Sequence, residues 1–153
     1  MIEDREKPSL AIRIFGPLIF LLSAIAALSF FFYNAYIFSV DISSRIVQFD
    51  KGSFYMLGVG LGFLALTFAG IQETWLNKLL TNKQSSLFSK LAISGVVLTF
   101  TLPHVVHYVI DDYLINKGYS VCEEASHQWR FVRTIIYIHD SVECSKDLTN
   151  KFN

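Results

Sequence analysis

The sequence predicts an all-α membrane protein with three transmembrane helices and a short, disulfide-closed, extracytoplasmic carboxyl-terminal segment. Three observations predict this class. The 153 residues are 52% apolar and 15% aromatic, with a mean hydropathy of +0.42, which is too apolar for an ordinary soluble domain. The windows 14–40, 52–72 and 91–110 contain no Asp, Glu, Lys or Arg. Both cysteines follow the last of these windows.

Each charge-free window is long enough to cross a bilayer. A hydrocarbon core about 30 Å thick needs about 20 helical residues, with every backbone polar group bonded inside the helix. A helix of a soluble bundle shows a polar stripe every third or fourth residue, and these windows show none. We therefore predict spans at about 14–38, 54–71 and 91–110. The first is an uncleaved anchor, because its apolar run is longer than that of a signal peptide.

The predicted domain plan is a cytoplasmic arm (1–13), a three-helix membrane domain (14–117) and a tail (118–153). In the first connection, Ile42, Ile46 and Phe49 are spaced i, i+4, i+7, which predicts an amphipathic turn lying on the membrane. In the connection 72–90, the pattern around Trp75 predicts an interfacial helix. We expect the third helix to continue to Asn116 and to end at Gly118 in a left-handed conformation.

Basic residues predict the orientation. Cytoplasmic segments accumulate Lys and Arg. The amino-terminal arm and the second connection carry three each, against two in the first connection: Arg5, Lys7, Arg13, Lys78, Lys83, Lys90, Arg45 and Lys51. We therefore expect the amino terminus inside and the tail outside, where oxidation of Cys122 and Cys144 to a disulfide is favoured. Two unpaired thiols are the alternative.

Small residues mark one face of the second span. Gly58, Gly62, Ala65 and Ala69 repeat at helical spacing, and small residues allow two backbones to approach closely. Contact with spans one and three of the same chain is the favoured interpretation, because only van der Waals packing is needed. Homodimerisation is the alternative.

A polar cluster lies near the end of the third span. His104, His107 and Asp111 are one turn apart and share one helix face. Two imidazoles and one carboxylate form only part of a metal site, since the spacing supplies no third strong ligand. We therefore predict hydrogen bonding at the membrane interface, with no metal and no cofactor.

No complete catalytic set is visible. Glu123 and Glu124 with Arg130 partly resemble the paired glutamates and arginine of some intramembrane peptidases, but these glutamates follow the third span instead of lying inside one. We expect no enzyme activity. The formal net charge is zero, with 13 basic and 13 acidic residues, so no basic field favours nucleic acid.

The segment 126–138 is amphipathic as a helix and as a strand. Trp129, Val132 and Ile136 form a helical stripe, whereas the β-branched residues of the same segment favour a strand. The helical interpretation is slightly preferred. The apolar face covers either the ends of the spans or a partner, and the candidate partner-binding residues are Glu123, Glu124, Trp129, Arg130, Arg133 and Tyr137.

The tail contains a pattern of residues that is similar to that of a known protein family. It comprises Gly118, Tyr119, Cys122, Ser126, Trp129, Tyr137 and Cys144. The chain resembles a poorly characterised family of small Gram-negative inner-membrane proteins with about three spans and a cysteine-bracketed tail, which implies an inner-membrane location with a periplasmic carboxyl terminus. Its architecture is also similar to that of immunity proteins.

The similarity to immunity proteins implies a function. Besides the lipid bilayer, the expected partner is a protein, foremost a cognate toxin that acts on the membrane or in the periplasm and that this chain neutralises. A small accessory or assembly subunit of a larger membrane complex is the alternative, and homo-oligomerisation stays open.

Overall fold

The structure, a computed structural model, describes residues 9–74, 80–129 and 132–150. Its helices are α1 (Leu10–Asp41), α2 (Lys51–Thr74), α3 (Asn82–Ile115) and the single turn α4 (Asp147–Asn150). Its strands are β1 (Ile46–Asp50), β2 (Tyr119–Val121), β3 (His127–Trp129) and β4 (Val132–His139). In this part of the chain, α1, α2 and α3 are long and apolar enough to cross a membrane. The predicted class is confirmed, and a small sheet is added to it.

The ends of α3 have local causes. The helix begins at Asn82, inside the segment 72–90 that we predicted as a connection, because Thr81 and Gln84 form a capping box. It ends at Ile115 with Asn116 as its cap, and Gly118 follows at φ 83°, the left-handed conformation expected there. The interfacial helix predicted around Trp75 lies outside the described residues.

Glycines make α2 the central helix, with α1 and α3 packed on two sides of it. A Cβ atom added to Gly60 would lie 2.6 Å from Leu28 Cγ of α1. One added to Gly58 would lie 2.4 Å from the backbone nitrogen of Thr99 in α3, and one added to Gly95 of α3 would lie 2.9 Å from the carbonyl oxygen of Gly58. Gly58 therefore lies against α3 of the same chain, whereas the glycine that lies against α1 is Gly60, which is outside the predicted stripe. Ala65 is buried as well, whereas Ala69 is half-buried.

Strand β4 is the centre of an antiparallel sheet. Its partner on one edge is β1, from Ile46↔Ile138 to Asp50↔Thr134. The register of β3 pairs His127 with Thr134, and that of β2 pairs Val121 with Tyr137. Because Thr134 is paired with both Asp50 and His127, β1 occupies one edge of β4 while β2 and β3 share the other.

The sheet corrects two predictions. The segment around Ile46 and Phe49 is strand β1, not an amphipathic turn, and Val47 and Phe49 alternate into the core at 0% exposure. The segment 126–138 contains β3 and β4, not the helix that we slightly preferred. In both segments the β-branched and aromatic residues pair with residues of a neighbouring strand, and these pairs stabilise the strand conformation. The spacing of apolar residues within one segment does not reveal such pairs.

Both faces of β4 are covered. One face packs on the ends of the long helices, in a core of Val47, Phe49, Ile110, Leu114, Ile135 and Tyr137. The opposite face packs on the carboxyl-terminal segment, in a core of Cys122, Ala125, Ile136 and Ile138 joined by Val142, Cys144 and Leu148. Within the segment 126–138, strand β4 thus covers the helix ends through Ile135 and Tyr137, the first of the two roles that the sequence left open.

The contact between Gly58 and α3 leads to a first prediction. Gly58→Ala forces a methyl group against the Thr99 backbone, and overpacking of this kind lowers the free energy of unfolding by about 1–3 kcal/mol. The matched control is Gly62→Ala on the same helix, because no atom lies within 4 Å of its added Cβ. Thermal unfolding in detergent measures both. Equal unfolding temperatures for the two variants would contradict this packing.

Candidate functional site

A loop between β2 and β3 projects from the edge of β4. Val121 is paired with Tyr137 and His127 with Thr134, so residues 122–126 bulge opposite two residues of β4. The amide of Cys122 donates to the carbonyl of Ile136 at 2.9 Å, and the amide of Ile136 donates to Ser126 Oγ at 3.1 Å. Both ends of this 122–126 loop are therefore fixed to the central strand.

The disulfide also holds the 122–126 loop, by bonding it to the carboxyl-terminal segment. Cys122 is bonded to Cys144, and their α-carbons are 5.5 Å apart. The predicted pairing is confirmed. Cys122 and Ala125 are buried, whereas Glu123 and Glu124 at the tip of the loop are exposed. The loop thus holds two carboxylates outward on a rigid frame.

An ion pair adds a basic residue to this tip. Arg133 Nη2 of β4 lies 3.3 Å from both carboxylate oxygens of Glu123, and the side chains are 39% and 77% exposed. An exposed pair of this kind contributes at most about 1 kcal/mol, so both groups remain available to a partner. We call Glu123, Glu124 and Arg133 the loop surface. It joins three of the six predicted partner-binding residues.

Tyr137 requires a correction. We predicted it at a binding surface, but its side chain is fully buried between the sheet and the helices. Its hydroxyl donates to Asp111 Oδ1 at 3.0 Å, and its pKa is raised by burial and by this carboxylate. Ile135 lies two residues before Tyr137 in β4, and because alternate side chains of a strand point to the same face, both lie on the buried face. Of the two remaining predicted residues, Arg130 and the side chain of Trp129 lie outside the described part.

The polar cluster of α3 is divided among different neighbours. His104 Nδ1 lies 2.9 Å from the carbonyl oxygen of Phe100, whereas Asp111 accepts from Tyr137. The ring of His107 stacks on Phe49 with centroids 5.9 Å apart, and in the described structure its buried Nδ1 has no hydrogen-bond partner. Over residues 9–74, 80–129 and 132–150, no three His, Cys, Asp or Glu side chains are placed to hold a metal ion.

The prediction missed Asp50, which joins the sheet to α2. Its Oδ1 accepts from the amide of Gly52 at 2.9 Å and its Oδ2 from the amide of Ser53 at 3.1 Å, so it caps the helix. Burial outweighs these two bonds and raises the pKa of Asp50. An Asp directly before an apolar helix was the signal available in the sequence.

An apolar groove of about 280 Å³ lies between α2 and α3. Gly62 leaves room for it, because no atom lies within 4 Å of a Cβ added there. The other lining residues include Gly58, Leu66, Val96 and Phe100. In a bilayer such a groove admits lipid chains or another helix.

Comparison with known protein families gives a match over most of the chain. A family described as "Protein of unknown function (DUF1240)" matches residues 47–145. The match begins in β1 and ends one residue after Cys144, so it contains α2, α3, the remaining strands and the disulfide. No curated protein and no solved structure matches the chain.

The cap of α2 leads to a prediction on pH. A raised pKa means that the folded state favours protonated Asp50, so this group's contribution to stability is full below pH 3.8 and is lost as the pH rises through the raised value. Asp50→Asn removes this loss and keeps a good cap, whereas Asp50→Ala costs about 1 kcal/mol. We expect Asp50→Asn to unfold at or above the wild-type temperature at pH 7.

Thermal unfolding between pH 3 and 7 measures this effect. Asp140→Asn is the matched control, because it makes the same substitution at an exposed position outside the cap of α2. A lower unfolding temperature for Asp50→Asn than for Asp140→Asn at pH 7 would contradict the stated sign.

Proposed function

Because the chain belongs to the DUF1240 family, whose function is unknown, we propose from its geometry that it is a non-enzymatic membrane protein that binds a protein partner through the loop surface. The observation that carries the proposal is the double fixation of the 122–126 loop by β4 and by the disulfide. A loop ordered before binding loses less conformational entropy on association. Its exposed charges supply specificity and steer encounter.

Chemistry and charge support the proposed compartment. Disulfides persist in oxidising compartments, and the distribution of Lys and Arg favours a cytoplasmic amino terminus. The proposed location is the bacterial inner membrane, with the sheet in the periplasm. There the loop surface faces proteins that arrive from outside the cell.

The partner that fits this position is a toxin acting on the membrane or in the periplasm. The sheet packs directly on the helix ends, and the loop surface lies one sheet layer away from them, near the bilayer that a membrane-acting toxin must reach. An immunity protein held at that level intercepts the toxin before it inserts or acts. Binding by charged groups outside the core leaves the fold of the immunity protein unchanged.

Co-expression with a panel of membrane-acting and periplasm-acting bacterial toxins tests this proposal. We expect the wild-type chain to rescue growth against one of them, and Glu123→Lys with Glu124→Lys to abolish the rescue by charge repulsion. The matched control is Asp140→Lys with Glu143→Lys, which makes the same change of charge at exposed positions outside the loop surface. Immunoblotting of membranes verifies equal amounts.

Removing the disulfide gives a second test in the same co-expression assay. Cys122→Ser with Cys144→Ser removes one of the two fixations of the loop and leaves its hydrogen bonds to β4; for a 22-residue separation this costs about 3 kcal/mol of stability in the chain-entropy model. We expect weaker rescue at an equal membrane level. Failure of the wild-type chain to protect against any toxin, or equal rescue by both charge-reversed variants, would refute the immunity function.

The groove between α2 and α3 favours a second candidate, an accessory or assembly subunit of a larger membrane complex. A photo-crosslinking residue at Gly62, inside the groove, is expected to capture the same membrane protein in repeated experiments. A crosslinker at Phe32, an exposed position on α1, is the control and captures lipid or nothing. Identical products from both positions would remove this candidate.

A further inference from the structure

The outer edge of β1 is an unpaired strand edge. In the described part of the chain β1 is paired only with β4, and it ends the sheet order β1-β4-β2. The opposite edge of the sheet is interrupted by the 122–126 loop, a bulge of the kind that prevents strand addition. No bulge or proline interrupts the five residues of β1. One edge of the sheet is thus protected and the other is open.

The register shows which backbone groups face outward. The amide of His139 donates to the carbonyl of Arg45, so Arg45, Val47 and Phe49 direct their backbone groups toward β4. Alternation then directs those of Ile46, Gln48 and Asp50 to the outer edge.

Side-chain hydroxyls close the two ends of this edge. The carbonyl of Ile46 accepts from Ser44 Oγ, and that of Asp50 accepts from Ser53 Oγ. At the centre, the N–H and C=O of Gln48 have no partner among the described residues. Unpaired backbone groups are not tolerated in hydrocarbon, so this edge lies at the level of water or headgroups.

Charge distinguishes between possible occupants. Arg45 and Lys51 flank β1. Two copies paired antiparallel about Gln48 would bring Arg45, just before β1, close to Lys51, the first residue of α2, of the second copy, and like charges this close are destabilising. In that pairing Asp50 lies opposite Ile46, not opposite Arg45, and its carboxylate is directed to the amides of α2. The edge therefore disfavours self-pairing and suits a strand that carries an acidic residue at each end.

We propose that the edge of β1 binds an extended segment of another protein by antiparallel strand addition. The N–H and C=O of Gln48 pair with the centre of that segment, and acidic residues six positions apart reach the side chains of Arg45, just before β1, and Lys51, the first residue of α2. An even spacing places both acids on one face of the added strand. This edge lies across β4 from the loop surface, so the inference is independent of the proposed immunity function.

A synthetic peptide tests the proposal on the full chain in detergent micelles. The probe is a fluorescent seven-residue peptide with Glu at both ends and alternating Thr and Val between them. The control peptide has Lys at both ends. Fluorescence anisotropy measures binding, and we expect about tenfold higher affinity for the Glu peptide, because its two end pairs are attractive instead of repulsive.

Substitutions at Gln48 separate strand addition from general attraction. Gln48→Pro removes the outward N–H and leaves the bonds to β4, since proline is tolerated where an edge strand faces solvent. Gln48→Thr keeps the N–H and is the matched control. We expect Gln48→Thr to bind the Glu peptide as the wild type does and Gln48→Pro to lose binding, with equal unfolding temperatures for the two.

Reversing the charges of Arg45 and Lys51 tests the proposal even if the Gln48→Pro variant does not fold. Arg45→Glu with Lys51→Glu is expected to reverse the preference, so that the Lys peptide binds about tenfold more tightly than the Glu peptide. Equal binding of the two peptides, no binding of either, or unchanged binding by a folded Gln48→Pro variant would overturn the proposal. Disulfide-linked dimers of Gln48→Cys would also overturn it and assign the edge to a second copy.

Discussion

Burial of β4 on both faces is the constraint on which the rest of the structure depends. Ile135 and Tyr137 pack toward the helix ends, while Ile136 and Ile138 pack toward the disulfide segment. A strand in this position needs partners on both edges and cover on both sides, because each buried backbone group must be hydrogen-bonded. The first connection supplies β1, and the tail supplies β2, β3 and the outer cover. Two segments far apart in the chain thus form one rigid structure over the helix ends, made of the four strands and the disulfide segment, which we call the cap.

The cap follows the arrangement of the helices. β1 contacts α1, β4 contacts α2 and β2 contacts α3, so the sheet extends across the ends of all three helices. Close packing at Gly58 and Gly60 keeps these ends together, and a shift of one helix would be transmitted to the register of the sheet. The membrane helices therefore do more than anchor the chain. They fix the positions of the 122–126 loop and of the β1 edge, the two surfaces at which we propose binding.

Patterns within short stretches of sequence predicted the elements that depend mainly on the residues of those stretches. Charge-free windows predicted the helices, and the placement of the two cysteines predicted their bond. The strands were missed for a physical reason: Ile42, Ile46 and Phe49 fit a helical period, while the pairing of Val47 with Tyr137 joins residues that no local period connects. Burial of Tyr137 follows from that pairing, and the ion pair of Glu123 with Arg133 follows from the pairing of β2 and β3 with the other edge of β4. Asp50 differs, because its capping pattern was present in the sequence.

Hydrogen exchange of the β4 amides tests the central claim most directly. A strand bonded on both edges and covered on both faces exchanges its amides only through opening of the whole cap. We predict that the amides of residues 135–138 in the full chain in detergent micelles are as protected as those of the buried helix ends, and that they lose protection together when the disulfide is reduced. Exchange within seconds in the oxidised protein, as in an unstructured tail, would contradict the account.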